Sequence, residues 1–253
     1  MHKALANVFC TLIKNREKRD RIRSILTNKD NLPVPSPIFC DIKGQNNKIF
    51  IVDNGVETEL KNNIPGLKIK INGNNNTIKI PSRFGVIGSF FDINSDNFTL
   101  EIEPTIWFHN VWLRSYAGKN QYIKIGKNTS FEQANITVAD EAKLIICEDC
   151  MFLSDISIWA VDGHAIFDCV SQKCTNYTKK TLFIGNHVWC GEGTKITKNA
   201  HIYDNSIIGA GCVACKDYKF GNVIIGGNPG KIIKENISWN RISPYEAIKM
   251  QSK

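Results

Sequence analysis

Five histidines, His2, His109, His164, His187 and His201, are the side chains of this 253-residue chain best suited to move a proton near neutral pH. His164 stands apart by its neighbours. It lies between Gly163 and Ala165, which let a ligand approach the backbone, and carboxylates flank it in Asp162-Gly163-His164-Ala165-Ile166-Phe167-Asp168. A hydroxyl is a poor nucleophile near pH 7, and a positioned imidazole that takes its proton makes it a competent one. Asp162 or Asp168 would orient the ring, hold acceptor hydroxyls, or cap the local turn. The bland reading of a loop histidine is an ordinary surface residue.

Nine cysteines form the second reactive set. An odd number without framework-like spacing argues against a secreted disulfide scaffold and for a reducing, cytoplasmic setting. Cys147-x-x-Cys150 has the spacing of half a metal site. Cys150, however, occupies a position in the repeat described next where a small apolar residue is wanted, so packing is the favoured role and no metal is expected.

The element that must position these groups is a six-residue repeat. Every sixth residue from Ile184 reads Ile184, Cys190, Ile196, Ile202, Ile208, Ala214, and four residues further on stand Val188, Thr194, Ala200, Ser206 and Cys212. A period of six fits neither a helix nor simple strand alternation. It is the hexapeptide signature of a parallel β-helix, with about 18 residues closing one three-sided coil. The phase is already visible at Ile146, Phe152 and Ile158, with Cys150 and Ile156 in the fifth positions. Before Ile123 it is ragged, which suggests irregular early coils or a pleated cap.

Residues 162–181 break the repeat, and such an excursion emerges from a solenoid as a loop where function often sits. His187 is expected to face outward within its repeat unit, as is Trp189, and His201 to sit on a turn. Residues 3–27 read as a helix with a basic face, followed by a stiff linker at Pro33, Pro35 and Pro37. The expected organisation is therefore an N-terminal helix and linker (1–47), a β-helix (48–235) and a C-terminal helical cap (236–253). A net charge of +8 favours anionic partners without choosing among them. The basic helix is either a solvated surface or a peripheral contact with an anionic membrane. The apolar stretch at its start is too short to span a bilayer, and no signal peptide is convincing.

Three segments carry a resemblance. They are Ile184-Gly185-Asn186-His187-Val188-Trp189-Cys190-Gly191, then Ser206-Ile207-Ile208-Gly209-Ala210-Gly211-Cys212-Val213-Ala214-Cys215-Lys216-Asp217, and Gly227-Asn228-Pro229-Gly230-Lys231. Over about sixty residues the chain resembles the hexapeptide-repeat acyltransferases. The Asp162-Gly163-His164 segment resembles that of bacterial capsule, lipopolysaccharide and polysialic-acid O-acetyltransferases. Gly230 stands where that family has Ala, and Val161 where it has Ser.

The resemblance implies an all-β solenoid, a left-handed parallel β-helix, assembled as a homotrimer with acetyl-CoA in the cleft between neighbours. It implies an O-acetyltransferase acting on a sugar hydroxyl of a bacterial surface polysaccharide, with His164 as base. Asp162 and Trp189 would assist the chemistry, and Asp168 would contact the acceptor. Cys190, Gly191, Gly209, Ala210 and Gly211 would meet the donor through their main chain, Lys216, Lys231 and Lys234 its phosphates, and Asn228-Pro229 its adenine. An N-acetyltransferase of an amino-sugar, or an antibiotic-acetylating relative, fits the same cleft. A zinc carbonic anhydrase on this fold would need two histidines five residues apart, which the chain lacks. An inert scaffold would not need the donor motif, and nucleic acid is not an expected partner.

Overall fold

The computed structural model describes residues 40–252, so the expected N-terminal helix, its linker and any membrane contact they make lie outside the described residues. From Cys40 onward the chain winds through three sheets of eight strands each. Successive coils lay one short strand on each sheet, parallel to the strand of the coil before. The first coil starts at strand Cys40–Lys43, which pairs with Leu67–Asn72, so the solenoid begins earlier than residue 48.

The six-residue register holds where it is clearest. Ile184, Cys190 and Ile196 stack on Ile202, Ile208 and Ala214, each 18 residues later, and all six are fully buried. Upstream the coils are longer yet equally orderly. Phe91 stacks on Leu113 after 22 residues, Leu113 on Ile136 after 23, and Ile136 on Ile158 after 22. The early coils are thus regular, and only their length defeats a six-residue period.

The added residues sit at corners built from Asn. Asn46, Asn75, Asn97 and Asn120 all have φ between 48° and 60°, a left-handed geometry that Asn tolerates. Their side chains bond from coil to coil, Asn46 to Asn75 at 3.1 Å and Asn97 to Asn120 at 3.2 Å. Glycine serves where coils approach most closely. A Cβ on Gly191 would lie 2.7 Å from the Ala210 nitrogen, so no other residue fits that corner undistorted.

Both ends are closed by hairpins, which protect strand edges from pairing with other chains. Strand Val56–Glu59 folds back antiparallel on Lys48–Asp53, and Lys231–Lys234 does the same on Ile224–Gly226. The C-terminal helix is shorter than the sequence suggests, Pro244–Gln251, and buries none of its residues. Ser243 and Glu246 form a capping box and Pro244 takes the first turn, so the helix is held to start there. Residues ahead of it cross the third sheet as an extended strap.

Candidate functional site

The chain leaves the first sheet after strand Ile156–Trp159 and returns on the second at Thr181–Ile184. Ile158 consequently pairs with Ile196, 38 residues on, twenty more than the 18 that separate Ile196 from Ala214. The excursion is pinned at its base: the Thr178 amide donates to Asp140 Oδ2 and the Tyr177 hydroxyl to Glu141 Oε1. At its tip Asp168 Oδ1 accepts from the amides of Val170 (3.1 Å) and Ser171 (2.7 Å) and from the Ser171 hydroxyl (2.8 Å). The Ser171 amide bond, with the others, holds this carboxyl below its usual range. Asp168 therefore closes the loop's own turn.

His164 is exposed and opens on a small hollow lined by Tyr116, Ala139, Val161, Ala165 and Tyr177. Its carbonyl accepts from Asn176 Nδ2 at 2.7 Å, which fixes the backbone. Among the described residues no hydrogen-bond partner engages its imidazole. Asp162 does not orient that ring: its Oδ2 accepts from Asn176 Nδ2 at 3.0 Å and pairs with the Lys198 ammonium. Partial burial works to raise the Asp162 pKa, but the bonds from Lys198 and Asn176 outweigh it and the carboxyl titrates below its ordinary value. Val161, at 7% exposure, turns an apolar wall to the hollow where the resembling enzymes carry a hydroxyl.

The glycine corner lies between the third sheet and the first. The amides of Gly191 and Gly209 donate at 2.8 Å to the carbonyls of Ile208 and Ile225, and the Gly211 amide to Glu192 at 2.8 Å. Those three amides are consumed in stacking the coils and are not free for a ligand. Exposed Ala210 and Gly211 form the surface a ligand would meet. The Cys190 side chain is wholly interior, so only its main chain can face outward.

The Asn228-Pro229 bond is cis, and the following Gly230 amide donates to the Val213 carbonyl. The Gly230 departure has a physical reason: a Cβ there would lie 2.6 Å from the Tyr218 hydroxyl, which fills the space. Lys216 is exposed with its ammonium 5.6 Å from the Tyr218 ring centre, and Lys231 and Lys234 are exposed at the two ends of their strand.

Trp189 stands half-buried on strand Trp189–Cys190, and its indole N–H is buried without a partner. A buried donor left unpaired is costly and calls for an acceptor. The strap packs beside it, with Trp239 6.0 Å from Trp189 between ring centres. His187 does not face solvent freely. Its ring stacks on Trp239 at 4.0 Å, Nδ1 lies 2.6 Å from Asp149 Oδ2, and Nε2 lies 3.0 Å from the Trp239 carbonyl oxygen. Arg241 binds Asp149 Oδ1 at 3.1 Å and the Ser130 hydroxyl at 2.9 Å, completing a clasp that sequence spacing gave no sign of. His201 belongs to strand His201–Ile202 and stacks on Tyr203 at 4.2 Å, so it is not on a turn.

Cys150 donates its thiol toward the Gly185 carbonyl at 3.1 Å, and burial pushes its pKa up to about 12. That is a packing residue. Among the described residues no group of side chains could hold a metal ion, and no helix is long and apolar enough to cross a membrane.

One chain does not assemble the whole set. The His164 loop, Lys198 and Lys216 lie at the corner between the first and second sheets. Gly191, Gly209, Ala210 and Asn228-Pro229 lie at the opposite edge of the first sheet, with Trp189, Lys231 and Lys234 on the third.

This architecture, a three-sided parallel β-helix with glycine corners and one histidine-bearing excursion, defines a hexapeptide-repeat protein. No model of a known protein family matches the chain. It is 32% identical over 174 residues to the polysialic acid O-acetyltransferase of Neisseria meningitidis, covering 69% of this chain and 80% of that one. It is 33% identical over 132 residues to the polysialic acid O-acetyltransferase of Escherichia coli O1:K1, covering 52% of this chain but only 42% of that longer relative. Its fold matches the crystal structure of the polysialic acid O-acetyltransferase OatWY with a TM-score of 0.67 at 27% identity, over 84% of this chain and 98% of that one. The polysialic-acid-specific acetyltransferase NeuO gives 0.64 at 28% identity, over 83% and 92%. The chain belongs to the hexapeptide-repeat acetyltransferase family.

Proposed function

We propose that the protein transfers acetyl from acetyl-CoA to a sugar hydroxyl of a bacterial surface polysaccharide, with His164 as general base. One observation carries the assignment of the base: an exposed imidazole, without a bonded partner among the described residues, stands on the single excursion of 20 residues in this family member's coil. His164 takes the acceptor's proton as the hydroxyl oxygen attacks the thioester carbonyl. The tetrahedral oxyanion then collapses, the C–S bond breaks, and the imidazolium returns the proton to the leaving thiolate.

The thiols of Cys150 and Cys190 are buried and their pKa values raised, so a covalent acyl-enzyme through them has no support. Asp162 fixes the loop through Asn176 and Lys198, and Asp168 shapes its tip. The residues present fit the donor. The unpaired Trp189 indole N–H would meet an acceptor oxygen, the Gly191, Gly209 and Ala210 corner admits a close approach, and Lys216, Lys231 and Lys234 supply charge for phosphates. Asn228 and Pro229 border the same corner, and Cys190 would contribute only main chain.

Because the base and the glycine corner lie at opposite edges of one sheet, a complete site needs the corner of a second copy. A homotrimer of left-handed coils is the assembly we infer. The test is incubation with acetyl-CoA and a panel of glycans that includes polysialic acid and amino-sugars. Released thiol with an O-acetyl ester in the product supports the reading, and amide products alone would replace it with N-acetylation. Sedimentation of a fully active monomer would remove the shared site.

A further inference from the structure

The outer face of the first sheet carries two outward rows of side chains that the proposed chemistry does not use. In register across six strands, one row reads Lys68, Phe90, Trp112, Asn135, Ser157, Lys195. The neighbouring row reads Lys70, Asp92, Arg114, Thr137 and Trp159. Six strands at about 4.8 Å spacing span roughly 24 Å. Trp112 and Trp159 are each 41% exposed, which is costly for large rings with no partner.

Cations are set against the aromatic rings of this face. The Arg114 guanidinium lies 4.4 Å from the centre of the Trp112 ring, the Lys68 ammonium lies 5.0 Å from that of Phe90, and the two rings stack at 6.3 Å with an 18° tilt. The one acid in the rows, Asp92, is bonded by Asn94 Nδ2 at 2.8 Å.

We propose that this face is a docking track for an extended anionic polysaccharide, and that it feeds the acceptor to His164. This rests on the O-acetyltransferase reading above. The chemistry of the face chooses the occupant. A protein partner would want one contiguous apolar patch, whereas here single rings alternate with Asn135, Ser157 and Thr137, which can bond sugar hydroxyls. Rings stack on the apolar faces of sugars, and Lys68, Lys70, Arg114 and Lys195 complement carboxylates along a polymer. Continuity supplies the link to the chemistry. Trp112, Arg114 and Tyr116 alternate outward on the one strand Val111–Lys119, and Tyr116 lines the His164 hollow. Trp159 ends the strand that runs directly into the excursion.

The test uses the full chain, polysialic acid as long probe and a sialic acid disaccharide as short probe. Trp112→Ala and Arg114→Gln should weaken direct binding of the long probe at least tenfold. They should also raise its KM at least tenfold relative to the short probe's, and Arg114→Gln should flatten the salt dependence of binding. Equal changes for both probes, or no binding of the long probe by the unaltered protein, would overturn the track. So would a loss of oligomer in either variant, since the face would then cover a second copy. Binding that responds to these substitutions without acetyl transfer to any acceptor would leave the track standing and sink the enzymatic reading instead.

Discussion

Coils before the 162–180 excursion take 21 to 23 residues, as in Ile123 to Leu144 and Leu113 to Ile136, whereas those after it take 18. The interiors differ accordingly. On the third sheet the inward row begins with Phe108, Phe131 and Phe152, the last two stacked at 4.4 Å and 4°. It continues with Cys190, Ile208 and Ile225. A wider coil has room for rings, and a narrow one admits only small or aliphatic groups, because interiors are close-packed.

The outer faces follow suit. Strand Val111–Lys119 offers nine residues of sheet, while Val213–Ala214 offers two. The wide half presents a broad platform, and the narrow half brings glycine corners into close contact. The histidine-bearing excursion sits at the junction of the two. Coil length is thus what divides the labour along this solenoid.

The contrast can be broken from the narrow side most severely. Ile202→Asp places an unpaired charge in a fully buried position with no room for water, and should prevent folding. A soluble Ile202→Asp protein with an unchanged thermal transition would refute the register. Next, Phe131→Ala should cost about 3–5 kcal/mol from the wide interior, while Cys190→Ala in the same row should cost about 1 kcal/mol. Denaturant midpoints compare them, and equal losses would mean the two interiors are not different in kind.

The smallest effect sharpens the packing of the narrow end. Gly230→Ala should destabilise by about 1–3 kcal/mol through overpacking against the Tyr218 hydroxyl, 2.6 Å from the added Cβ. Adding Tyr218→Phe should recover part of that loss. An unperturbed Gly230→Ala melt would remove this account of the departure from Ala.

Sequence reading found the narrow half because its corners add no residues to the period, so Ile184 to Ala214 stay in phase. It lost the wide half because Asn97, Asn120 and their neighbours lengthen each corner and shift the phase, although every stacked position is still apolar. The His164 excursion was legible as a gap in the repeat. The fastening of Asp162 to Lys198, 36 residues away, was not, nor was the clasp of His187, Asp149, Trp239 and Arg241. Those contacts join residues whose proximity exists only once coils stack and the strap folds back. The same limit applied to the glycine amides, whose type suggested availability while their partners are the carbonyls of the next coil.

The central claim is that His164 moves the proton from the acceptor hydroxyl. Kinetics of His164→Ala with acetyl-CoA and a turned-over glycan, alongside a direct measurement of CoA binding, test it most plainly. The account predicts kcat lower by about 10²–10⁴-fold with CoA affinity unchanged. Turnover close to that of the unaltered protein, or loss of CoA binding together with turnover, would contradict it.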